Sequence, residues 1–302
     1  MRISAVVHTY NSEKHLEECL RSLISLDEIV VCDMYSTDKT IQIAKKYGCK
    51  IIYHENVGFA DPARNFALSH ATGDWILVVD SDEIITQELI SFLREYIKDP
   101  NCAENVFIPR KNYVFGKFMR SVYPNRILRF FKKEHVKYSS RVHCTPDEIK
   151  GREYFIDPKM EKLAIIHYNY DSVEQFTERS NRYTTLELEK YIERGIKFSL
   201  PYMLLRAEGE FIKRYILKKG YKDGLHGFIY ALLLAIYELL CYIKLWEYEK
   251  NQALCSSHKR LNNISYVLPE CDNKIGENPK RLLSTGSCYS EYKTSIKDLE
   301  SI

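Results

Sequence analysis

The run Trp75-Ile76-Leu77-Val78-Val79-Asp80-Ser81-Asp82-Glu83 decides the reading of this chain. Its first five residues are apolar throughout, which is the pattern of a buried strand. The next four are acidic or polar and cannot stay in that core without partners. In open α/β sheets, the carboxyl ends of strands are where ligands bind. Closely spaced carboxylates there are hard oxygen ligands suited to Mg2+ or Mn2+, and such ions hold phosphate oxygens. The run points to a metal-assisted enzyme acting on a diphosphate-linked donor.

The segments upstream repeat one unit. Ile3–Val7 reads as a first strand, and Asn11-Ser12 as the cap of a helix with Leu16, Leu20 and Leu23 on one face. Glu28–Cys32 is a second strand ending in Asp33. Ser36-Thr37-Asp38 caps a second helix, which Gly48 stops. Lys50–Tyr53 is a short third strand, and a helix over Pro62–His70 leads into the Trp75 strand. This β-α-β-α-β-α-β order implies a mostly parallel sheet with helices on both faces. Residues 104–170 are strand-like and rich in aromatics, 171–250 turn helical, and 251–302 are polar and weakly patterned. The expected organisation is a catalytic domain over 1–170, a helical region over 171–250 and a loosely ordered tail.

Composition narrows the class. With 45% hydrophobic and 28% charged residues in a chain of 302, wholesale disorder is excluded. A net charge of +3 is too small to imply a nucleic-acid binder. The nine cysteines are scattered, odd in number and free of any C-x-x-C pair, which argues against a zinc knuckle or a disulfide scaffold. No basic segment followed by a long apolar stretch opens the chain, so a cytosolic setting is expected.

Several segments together resemble family 2 glycosyltransferases of the GT-A fold. They are Val7-His8-Thr9-Tyr10-Asn11, Asp33 through Thr40, Gly58-Phe59 through Arg64-Asn65, Ala71-Thr72-Gly73-Asp74-Trp75 and Asp80-Ser81-Asp82-Glu83. Tyr123 through Phe130, Ile166-His167-Tyr168, Asn181-Arg182-Tyr183 and Gly224 through Phe228 resemble the branch that includes the lipopolysaccharide-core β-glucosyltransferases. The likeness covers about residues 1–250. It implies an inverting transfer from a nucleotide sugar, such as UDP-glucose, to a lipopolysaccharide-core or other lipid-linked saccharide. It also implies roles: Thr9 and Asn11 line the nucleotide pocket, Asp33 meets the uridine, and Arg64 and Asn65 lie near the donor. Asp80 contacts ribose or metal-bound water, and Asp82 coordinates Mg2+ or Mn2+. Asp38 reads as a cap residue, and Glu83 as a support for the metal site or a cap.

The general base is the open position. Related sequences carry a His-Glu pair where this chain reads Arg141-Val142-His143-Cys144, so the glutamate role cannot be carried over. His143 is the candidate base, with Asp147 and Glu148 as nearby substitutes. The missing glutamate keeps alive a second class, a non-catalytic nucleotide- or glycan-binding protein on the same scaffold. Nucleotidyl transfer is disfavoured, because His8 through Ser12 contains no glycine for a phosphate loop.

Two further stretches bear on partners. Residues 109–141 hold ten Lys or Arg against one acid, Glu134, with aromatics interleaved. Without a nucleic-acid module motif, this suits an anionic glycolipid acceptor before it suits nucleic acid. Leu225–Ile243 approaches the roughly 20 apolar residues of a membrane span but carries His226 and Glu238. With the lysines before it, the segment reads as an interface-lying helix or as a core helix, and the expected location is the inner face of the cell membrane.

Overall fold

The computed structural model describes residues 1–55, 61–138, 146 and 148–264. Two compact units divide the chain, Met1–Asn251 and Gln252–Ile302. In chain order the elements are β1 (Ile3–Thr9), α1 (Glu13–Leu23), β2 (Glu28–Asp33), α2 (Thr40–Lys46), β3 (Lys50–Tyr53), α3 (Asp61–His70), β4 (Trp75–Asp80), β5 (Glu83–Ile84) and α4 (Gln87–Tyr96). Then come β6 (Asn105–Ile108), β7 (Arg110–Val114), β8 (Lys117–Phe118), β9 (Ile127–Lys132), β10 (Val136–Lys137), β11 (Glu148–Ile149), β12 (Glu153–Phe155) and β13 (Ile165–Tyr170). Helices α5 (Val173–Glu193), α6 (Leu200–Ile212) and α7 (Leu225–Ile264) close the described chain.

The main sheet runs β12-β6-β9-β4-β1-β2-β3. β4, β1, β2 and β3 are mutually parallel, and β9 lies antiparallel between β4 and β6. The apolar runs are unbroken because both faces are covered. Ile3, Ala5, Val7, Trp75, Leu77 and Val79 point to the side packed by α1 and α4. Val6, Ile76 and Val78 point to the side covered by Ala63 and Ala67 of α3. A second sheet, β5-β13-β7-β8, starts after a two-residue turn, Ser81-Asp82, at the end of β4. β5 pairs with β13, so that Glu83 faces His167 in register. The turn after β4 is thereby trapped between two sheets.

The α1 cap differs from expectation. Neither Asn11 nor Ser12 caps it through its side chain. The Asp38 carboxylate instead accepts from Glu13 N at 3.0 Å and from Thr40 N at 2.9 Å, so one residue serves the first turns of both α1 and α2. The described cysteines, Cys19, Cys32, Cys49, Cys102 and Cys241, are free thiols.

At the C-terminal side, α7 continues to Ile264, past the 250 boundary read from sequence. Between Phe228 and Leu268 there is no Gly or Pro to stop it. The start of α7 depends on a close approach: a Cβ at Gly227 would lie 1.9 Å from the Gly220 carbonyl oxygen. Gly227→Ala should therefore destabilise the protein by about 1–3 kcal/mol through overpacking. Chemical denaturation measures this, and a variant as stable as the parent would show that the turn relaxes freely.

Candidate active site

Four of the sequence-selected residues, Asn11, Arg64, Asp80 and Asp82, line one cavity of about 920 Å3 at the carboxyl ends of β1 and β4. Thr9, Asp33 and Asn65 are not part of its wall. His143 and Asp147 fall outside the described residues, and Glu148 is an exposed residue paired with Lys150 at 3.2 Å.

Asp33 is fully buried, and its carboxylate is held from three directions. Thr9 Oγ1 donates to it at 2.7 Å, Ser36 N at 2.8 Å and Ser36 Oγ at 2.6 Å. Thr9 and Asp33 are opposite partners in the β1–β2 ladder, which is why their side chains meet. They brace the turn that displays Asn11. Asn11 itself takes a left-handed conformation (φ 46°), which a short amide tolerates, and its Oδ1 accepts from Thr37 N at 2.8 Å. Asn65 clasps the backbone of Tyr138: its Nδ2 donates to Tyr138 O at 2.6 Å and its Oδ1 accepts from Tyr138 N at 3.0 Å. That clasp sets the Tyr138 ring 5.2 Å from the Arg64 guanidinium.

The acidic turn is partitioned by charge. Asp80 is drawn to Arg129 of β9, with Arg110 of β7 at 3.9 Å. Burial alone would raise the Asp80 carboxyl, but Arg129, Arg64 and Arg110 together hold it well below the usual carboxylate range. Glu83 lies beneath, fully buried, accepting from Arg129 at 3.0 Å, Arg110 at 3.1 Å and Asp80 N at 3.0 Å. Its role is structural support under the site. Ser81 Oγ donates to Ser12 Oγ at 2.9 Å, and Tyr168 N donates to Asp82 O at 3.0 Å, so the turn is tied to both sheets.

Asp82 faces different company. Its Oδ1 lies 3.5 Å from His167 Nε2, and its Oδ2 lies 3.6 Å from Arg179 of α5. His167 Nδ1 lies 2.7 Å from Asn112 Oδ1, a contact that fixes the orientation of the ring. Nε2 and the Asp82 carboxylate therefore face each other across the site, a nitrogen and an oxygen donor able to share a cation. Among the described residues no group of three or more His, Cys, Asp or Glu clusters together. A small divalent ion bound through one or two protein ligands plus phosphate oxygens needs no such cluster. The residues present thus fit such an ion, with Asp82 and His167 as the pair.

Several contributors were given no site role from sequence, His167 of β13 among them. Arg129 pairs with residues 46 and 49 positions away, beyond any local pattern. His15 Nε2 and Lys14 Nζ both contact Asp171 Oδ2, at 2.7 and 2.9 Å, on the cavity wall. Burial raises the Asp171 carboxyl, but its bonds to His15 and Lys14 outweigh that and leave it lowered. His8 is another: it lies in register with Asp80 and is only 6% exposed. Neither of its ring nitrogens has a hydrogen-bond partner of sound geometry.

Burial, reinforced by Arg64, pulls His8 down to about 3, so its imidazole is neutral. The unfolded chain takes up this proton near pH 6.5, whereas the folded chain takes it up only near 3. Stability from His8 is therefore fully present above about pH 6.5 and is lost as the pH falls towards 3. The expected slope is at most about 1.4 kcal/mol per pH unit. His8→Gln should flatten that slope between pH 6.5 and 5 in denaturation experiments. An unchanged slope would show that His8 protonates freely.

Residues 4–154 match the family described as glycosyl transferase family 2. The chain is 26% identical over 278 residues to an uncharacterized glycosyltransferase of Rickettsia typhi, covering 86% of this chain and 92% of the relative. It is 24% identical over 256 residues to the lipopolysaccharide core biosynthesis glycosyltransferase LpsC of Rhizobium meliloti, covering 81% and 92%. Among solved structures it is similar to Staphylococcus aureus TarS 1-349, at 20% identity and a TM-score of 0.43, covering 83% of this chain and 92% of that one.

Proposed function

Because this chain belongs to glycosyl transferase family 2, we propose that it transfers a hexose from a UDP-linked donor, such as UDP-glucose, to an anionic saccharide of the lipopolysaccharide-core or lipid-linked type. The observation that carries the donor half is Asp82 opposite His167, at the end of a buried strand, inside an arginine-lined cavity. The similarity to LpsC over most of both chains supports the acceptor class. Arg126 and Arg182, exposed on the cavity wall, favour an acceptor that carries acid groups.

In this reading Asp82 and His167 hold Mg2+ or Mn2+, which when bound neutralises charge developing on the departing diphosphate. Arg129 and Arg110 keep Asp80 ionised and aimed into the cavity. Arg64, stacked on Tyr138, presents positive charge where the diphosphate lies. Neutral His8 offers one donor and one acceptor to an uncharged part of the nucleotide. The acceptor hydroxyl attacks the anomeric carbon opposite the leaving nucleotide, so the configuration inverts and no enzyme nucleophile is needed. Its proton passes to a base. Among the described residues, the His15–Asp171 pair is the cavity-wall group suited to that role, alongside His143 outside them.

A panel of nucleotide sugars, assayed for slow donor hydrolysis with Mn2+ or Mg2+, tests this without knowledge of the acceptor. Turnover of a UDP-hexose above the others is the expected result. Tight UDP binding by calorimetry with no turnover over a broad acceptor panel would instead establish a nucleotide-binding protein on this scaffold.

A further inference from the structure

The helical side of the first unit carries a feature the transfer reaction does not use. Along α7, Leu225, Phe228, Leu232, Ile236, Ile243 and Trp246 are each 40–70% exposed. Their spacing of three, four or seven residues places them in one stripe. The opposite face is packed: Tyr230 joins Val114, Met119 and Phe176, while Cys241, Tyr242 and Leu245 pack with Tyr191 of α5. Lys244 Nζ bonds Asn181 and Thr185 of α5 on this packed side. The helix is long and apolar enough to cross a membrane, and only 33% of its most apolar window is buried. A span would have to strip away the packed face and these polar ties. Lying along a surface requires neither.

The stripe extends onto α6. Ile243 and Trp246 share an apolar groove with Phe198, Leu200 and Met203, and Phe228 meets Phe211 and Tyr215 at the other end. α6 and its continuation add exposed Leu204, Leu205, Ile216 and Leu217. Charge then separates the possible occupants. Lys218, Lys219 and Lys222 are exposed between α6 and α7, and among the described residues none has an acidic partner. An anionic bilayer complements both the apolar stripe and the lysines.

We infer that the α6–α7 face docks on an anionic membrane surface, with α7 lying in the interface and the three lysines against the lipid headgroups. The test is co-sedimentation of the full chain with vesicles. Binding to phosphatidylglycerol–phosphatidylcholine vesicles is expected, falling on the order of a hundredfold on phosphatidylcholine alone. Leu232→Glu with Ile236→Glu should abolish binding to both kinds of vesicle. Lys218→Glu with Lys219→Glu should remove the preference for anionic lipid. UDP affinity by calorimetry and the circular dichroism spectrum should be unchanged in all variants, because these side chains lie outside the cavity wall. Failure to bind either vesicle would overturn the inference, as would full binding by the Leu232/Ile236 variant. A vesicle-free dimer broken by the Leu232/Ile236 substitutions would overturn it in favour of self-association.

Discussion

Replacing Asp82 with alanine should lower sugar transfer by roughly 10^3-fold, about 4 kcal/mol in the barrier, while leaving the protein folded. The side chain is 19% exposed, so its loss creates no closed void in the core. It faces His167 Nε2 and Arg179, both of which line the cavity. What disappears is the carboxylate that faces His167 across the proposed cation position. His167→Ala should reproduce much of the defect, and the double variant should be little worse than either single one, because the two act as a unit. UDP binding in the absence of metal should persist. Wild-type turnover in Asp82→Ala at saturating donor would eliminate the assigned role.

Replacing Arg129 with methionine should destabilise the protein by about 3–5 kcal/mol. Arg129 is 6% exposed and answers two carboxylates at once. Burial works against its charge, but Asp80 and Glu83 more than compensate, holding it protonated. Without it, fully buried Glu83 keeps Arg110 as its one cationic partner beside the Asp80 backbone N–H, and Asp80 keeps Arg110 at 3.9 Å. Arg110→Met should cost less, since Arg129 still serves both acids. Glu83→Gln in the Arg129→Met background should recover part of the loss by removing the orphaned charge. Urea denaturation of the three variants measures these differences. Equal stability of Arg129→Met and the parent would mean that water replaces the guanidinium.

The parallel half of the fold was legible because β1, β2 and β4 are apolar on both faces and end abruptly in polar residues. The acidic turn was legible for the same reason. What each acid does was not. Asp33 and Asp80 both end strands, yet Asp33 is consumed by Thr9 and Ser36 while Asp80 answers Arg129. The difference lies in which neighbouring strand supplies a partner, and that depends on sheet order. Asn65 was placed near the donor by likeness, but its amide clasps Tyr138, 73 positions away. The basic stretch is not one surface. Strand alternation instead sends Arg129 into the interior and leaves Arg126 on the rim of the cavity.

Asp223 accepts from Arg120 N at 3.0 Å and Ser121 N at 2.9 Å, and its backbone oxygen accepts from Lys117 Nζ at 2.9 Å. These bonds pin the turn before α7 to the hairpin of the second sheet, the sheet that supplies His167 and Arg110. Whatever holds α7 still therefore holds the cavity at a set height and tilt. For an enzyme resting on a bilayer, that turns the catalytic centre into a ruler. Acceptors would be sorted by how far their reactive hydroxyl stands from the lipid, before any side chain reads the sugar.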